Sequence, residues 1–131
     1  MNSRRTNIEP TRDDIICLQA IVGDDKYLNT LSRMDLSITR VIDVVEDSHI
    51  AEVLWAEHRL EKAKVQFRHE KNVKLAAVYK RMIIVQRNED AEGIQECNAT
   101  LAYLATVNKN MAIITLENHL LTLTTHVAKA S

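Results

Sequence analysis

Glycine and proline are nearly missing from this chain: two of the first and one of the second in 131 residues, against average usage of roughly 7% and 5%. With so little punctuation for tight turns, the chain must be built from few, long elements. Glycine only at Gly23 and Gly93 also excludes a glycine-rich phosphate loop, which needs several glycines within a few residues so that backbone amides can close on the phosphates. Cysteine is scarce as well. Cys17 and Cys97 lack CxxC spacing and fall at core-like positions of separate helices, so they are expected as buried thiols in a reducing compartment and not as a disulfide framework. One Phe, one Trp and three Tyr leave the core an aliphatic character.

No apolar run is long enough for a membrane. Met82-Ile83-Ile84-Val85 is among the longest, far short of the ~18 residues a span requires. The polar stretch from Met1 to Asp14 has no apolar segment of the kind a secretory signal carries. Together with the thiols, this leads to the expectation of an intracellular, cytoplasmic protein.

Catalytic and metal-binding patterns are wanting too. No Ser-His-Asp or Cys-His arrangement can be assembled from sequence neighbours, so no enzyme is expected. Glu46 and His49 have the Glu-x-x-His spacing of a di-iron carboxylate bundle, but that site needs two such motifs and two further carboxylates. His58 and His69, and likewise His119 and His126, are too far apart along a helix to hold one metal without a third element. No catalytic, cofactor-binding or metal-ligating residue is therefore expected.

What is present is helical periodicity. Residues 1–10 read as a flexible arm, followed by a single domain over 11–131. Thr11 is a plausible N-cap with Asp13 and Asp14 in the first turn, and Gly23 is the stop after Val22. Asp24 or Asp25 would cap a second helix, in which Leu31, Met34, Ile38, Val41 and Val45 step by three and four, to about Glu46. Asp47-Ser48 signals a turn before a helix starting at His49. There Val53, Ala56, Leu60, Ala63 and Phe67 form a seam that lapses after Glu70 and resumes, rotated, as Leu75, Val78, Met82 and Val85. The segment is either one long helix with a phase break or two helices hinged near Lys71-Asn72. Residues 88–93 form a loop, and a last helix runs from Ile94 towards Ala128. Its stripe of Ile94, Cys97, Leu101, Leu104, Val107, Met111, Ile114 and Leu121 slips at Leu104 to Val107, which predicts overwinding or a bend near Asn108-Lys109-Asn110. The fold expected is all-α: an antiparallel bundle of four to five long helices with a long C-terminal helical hairpin.

Charge is unevenly placed. Residues 1–57 hold six Lys and Arg against eleven Asp and Glu, residues 58–87 nine against two, and residues 88–131 two against five. A near-neutral chain thus contains a basic middle. Lys64, Arg68, Lys71 and Lys74 line one strip of it, as a helix tracking phosphates would need. No aromatic interleaves the strip for base stacking, and the acidic first two helices could neutralise it. Nucleic-acid binding through the basic 59–87 segment is the alternative function; a solvated or internally paired face is the plainer one.

The last third of the chain lacks charge instead. From Cys97 to Ala128 only Lys109 and Glu117 are ionised, yet a helix exposed on one side normally carries charge there. After Met111 two apolar stripes run side by side, Ile114 and Leu121 on one, and Ile113, Leu116, Leu120, Leu123 and Val127 on the other. Threonines and Asn118 fill the positions between and can bond back to the helix. Such a helix needs cover on more than one side. The function expected is a non-enzymatic interaction or assembly subunit, an adaptor, chaperone-like or structural component. It would self-associate or bind a protein partner through Ile113, Leu116, Leu120, Leu123 and Val127, with the basic strip steering it towards an acidic surface.

Overall fold

The computed structural model describes residues 9–130, and the side chains of 9–125. Among the described residues every regular element is helical: α1 Arg12–Val22, α2 Asp24–Ile42, α3 Ser48–Arg87, α4 Ala91–Thr106 and α5 Met111–Ala130. No helix among them is long and apolar enough to cross a membrane.

Short polar side chains set the boundaries. The Thr11 hydroxyl accepts the Asp14 amide at 3.2 Å while the Asp14 carboxylate accepts the Thr11 amide at 2.8 Å, a reciprocal cap on α1. Gly23 ends that helix at φ 63°, in the left-handed region that only glycine enters without cost. Asp47 accepts the His49 and Ile50 amides at 2.8 and 3.0 Å and starts α3. Asp90 accepts the Gly93 amide at 3.0 Å and starts α4. Asn110 accepts the Ile113 amide at 2.9 Å and starts α5.

Of the two readings of the segment after His49, the single long helix stands, while other expected boundaries move. α3 is one uninterrupted helix across Lys71 and Asn72, because Glu70, Lys71 and Asn72 include no helix breaker; the apolar phase changes, not the backbone. The second helix stops at Ile42 and not near Glu46. Past it, Val44 and Val45 donate to Val41 and Ile42 in tightened last turns. Val44 is 79% exposed, so no burial offsets the low helix propensity of this β-branched run. The last helix is two. Val107 turns extended after α4, and the chain re-enters a helix only at Met111.

The helices form two compact units. One takes in the chain up to Asp24 together with His69–Asn108. Its core is Met82, Val85 and Cys97 with Val78, Ile94 and Leu101 packed on them. The end of α3 and the start of α4 thus face each other, antiparallel across a short connection. Gly93, expected in the loop, lies in the first turn of α4, where a Cβ would come 2.6 Å from Val85 Cγ1. Asp14 of α1 is bound to Arg87 at 2.8 Å, and Arg87 also donates to the Glu9 carbonyl at 2.9 Å. His69 pairs with Asp24 at 3.1 Å. Cys97 is buried as expected, but Cys17 is exposed, because α1 buries no residue completely and its apolar positions are only partly covered. Of the expected arm, residues 1–8 lie outside the described residues.

The second unit takes in Asp25–Arg68 and the chain from Lys109. Ala56, Leu60 and Ile113 are its buried apolar side chains. α2 and the first half of α3 are tied together at Asp35, whose Oδ1 lies 3.0 Å from both His58 Nε2 and Lys62 Nζ. The phase lapse in the seam of α3 falls where the helix passes from this unit to the first, at Arg68 and His69.

Candidate interaction surfaces

The basic strip is largely used by the chain itself. Lys71 Nζ donates to the Val107 carbonyl at 2.8 Å; an ammonium group there meets the negative end of the α4 dipole. Lys64 lies 3.3 Å from Glu61 on its own helix, while Arg68 and Lys74 are exposed. Around the strip, Lys62 is bound at Asp35, Arg81 lies 3.6 Å from Glu96 and Arg87 is bound at Asp14. The acidic N-terminal helices and α4 therefore neutralise part of the basic middle. Two carboxylates register this. Asp14 is held below the ordinary carboxylate range chiefly by the Thr11 amide and then by Arg87. Asp35 is held below it by Lys62 and then His58.

The expected apolar contact residues are placed unevenly. Ile113 is 2% exposed, so it is covered by its own chain and has no surface to offer a partner. Leu116, Leu120 and Leu123 are half-buried on the same side of α5, and the side chain of Val127 lies outside the described residues. The other stripe is the open one. Met111 is 73%, Ile114 39% and Leu121 64% exposed. Sequence reasoning placed the partner contact on the Ile113 stripe and read Met111, Ile114 and Leu121 as a continuation of the stripe running from Ile94 through Val107. The break before Asn110 resets the helical phase, so the stripe of α4 does not carry over into α5. The only hint was the slipped step at Leu104 to Val107.

Apolar exposure is also high on α2, where no residue is fully buried. Leu28, Leu36 and Val41 are all between 45% and 60% exposed, and Val44, just past the end of the helix, is 79% exposed. Between α2 and the first half of α3 an open groove of ≈ 560 Å³ is lined by Met34, Ile38, Val41 and Leu54, with Arg33, Glu57 and Glu61 among its polar lining. Sequence reasoning missed this groove, since it depends on how far α2 stands from α3. Trp55 meets the His58 ring edge-on at 5.8 Å, which leaves His58 held by Asp35 and packed on an aromatic. Among the described residues no group of three or more His, Cys, Asp or Glu could hold a metal ion. The arrangement offers apolar surface and paired charge.

No family model, no curated protein and no solved structure matches the chain.

Proposed function

We propose that the protein is an interaction or assembly subunit, a helical bundle that acts through the outer face of its C-terminal helix and works inside the cell. The observation that carries this reading is the exposure of Met111, Ile114 and Leu121 on a helix whose opposite side is already turned inward. Leaving such a stripe in water invites uncontrolled association, and covering a Leu fully is worth ~1.5–3 kcal/mol. A defined partner removes the hazard and gains that energy. Leu116, Leu120 and Leu123, half-buried on the inward side with Ile113, keep α5 seated. The two free cysteines, one exposed and one buried, suit a reducing compartment. An adaptor, a chaperone-like subunit and a structural component all use a face of this kind.

Light scattering and affinity capture with the wild-type chain and Leu121→Asp test the reading. The wild type should carry bound protein, whether its own copies or another chain, and the variant should lose it while keeping its helix content. A wild-type monomer that retains nothing contradicts the proposal.

A further inference from the structure

The open side of α5 has a spacing of its own. Met111, Ile114, Asn118, Leu121 and Thr125 step by three, four, three and four, which is the seam of a coiled coil over two heptads. All five are exposed. The border of the seam is prepared for cover. Thr122 and Thr124 donate their hydroxyls to the Asn118 and Leu120 carbonyls at 2.9 and 3.1 Å, so neither loses a water partner it depends on when the face is closed. Lys109 and Glu117, the charged residues beside it, close on each other at 3.0 Å.

We propose that this face receives the same face of a second copy of the chain, in a two-fold helix pair centred on Asn118. The inference rests on the reading of α5 as the contact helix and names what covers it. Charge selects a copy over a different partner. A charged partner would bring unpaired carboxylates or ammonium groups against a seam whose Lys109 and Glu117 already satisfy each other, whereas a copy brings only the same pair, likewise closed on itself. Asn118 selects it again. It is the middle residue of the five, and a carboxamide both donates and accepts, so its own equivalent is complementary to it across a two-fold axis. A polar Asn among apolar seam positions also penalises every register in which two amides do not meet. The seam is about 22 Å long at 1.5 Å per residue. That is short for a protein interface, so the pair should form reversibly, with a dissociation constant on the order of micromolar.

Sedimentation equilibrium of the full chain from micromolar to millimolar concentration tests this. The expected result is a monomer–dimer equilibrium that Leu121→Asp weakens at least tenfold with circular dichroism unchanged. Asn118→Ile should tighten association and admit higher oligomers, an effect that a side chain serving only its own monomer would not have. Should Leu121→Asp fail to fold, Asn118→Cys, on the two-fold axis itself, in a Cys17→Ser background gives a second reading. Mild oxidation should link two copies through that position, and Ala112→Cys in the same background should not link them. A monomer at every concentration, or a dimer indifferent to both Leu121→Asp and Asn118→Ile, overturns the proposal. If that monomer captures another protein through Met111, Ile114 and Leu121, only the second copy is lost; if it captures nothing, the contact helix is lost with it.

Discussion

Ile113 and Ile114 are neighbours at the start of α5 with opposite surroundings: the first is 2% exposed and the second 39%. One residue of helix turns the side chain by about 100°, enough to separate a core stripe from an open one. Ile113→Ala should therefore destabilise the isolated chain by about 2–4 kcal/mol through lost burial and the cavity left behind. Leu121→Ala should change the stability of the monomer by less than about 1 kcal/mol. Urea denaturation at low protein concentration, where no association contributes, measures both.

Gly93 sits where a Cβ would come 2.6 Å from Val85 Cγ1 and 2.6 Å from Asp90 Oδ2. Its amide is also the one that Asp90 caps. Gly93→Ala should destabilise by about 1–3 kcal/mol through overpacking, even though alanine is the better helix former. Val85→Ala in the same chain should make the alanine at position 93 less costly than it is alone. A double-mutant cycle by thermal denaturation gives that coupling directly.

Lys71 belongs to α3 and the carbonyl it binds, Val107, closes α4. Lys71→Met keeps the aliphatic stem and removes the ammonium, and should cost about 1–2 kcal/mol. Amide exchange should rise in the last turn of α4, around Tyr103 to Val107. Arg68→Ala, on an exposed side chain of the same strip, should leave both unchanged.

Acid should loosen the chain at two named points. Asp14 and Asp35 both titrate below their ordinary value of 3.8 in the folded chain. The unfolded chain therefore binds protons first as pH falls. The stability these carboxylates contribute is complete above the unfolded value and is lost as pH drops through the folded one. Thermal midpoints recorded from pH 6 down to pH 2 should fall across that lower range, and Asp35→Asn should flatten part of the decline.

Much of the helical content was legible because it follows from local chemistry. Thr11 with Asp14, Gly23, Asp47 and the lack of glycine and proline across α3 act within a few residues of where they stand. The breaks were less legible. Nothing in Val107-Asn108-Lys109-Asn110 forbids a helix, and only the slipped step at Leu104 to Val107 hinted at an interruption. What separates α4 from α5 includes a lysine 36 residues upstream that binds the Val107 carbonyl. The choice between the two stripes of α5 depended on that break. Both stripes are apolar, so composition could show that one of them was in surplus but not which. Cys17 was misplaced for a related reason: its position on the helix suits a core, and only the position of α1 in its unit decides that it stays exposed. For the basic strip, spacing placed Lys64, Arg68, Lys71 and Lys74 in line and put Glu61 within reach of Lys64, while the Val107 carbonyl that occupies Lys71 emerges only from the folded chain.

Carbene footprinting of the full chain across a dilution series tests the central claim most directly, because it reads the cover on each side chain of α5 separately. The account predicts that Met111, Ile114 and Leu121 are shielded at high concentration and become labelled on dilution, while Ile113 stays shielded throughout. Equal labelling of Met111, Ile114 and Leu121 at every concentration, or labelling of Ile113 alongside them, would contradict it.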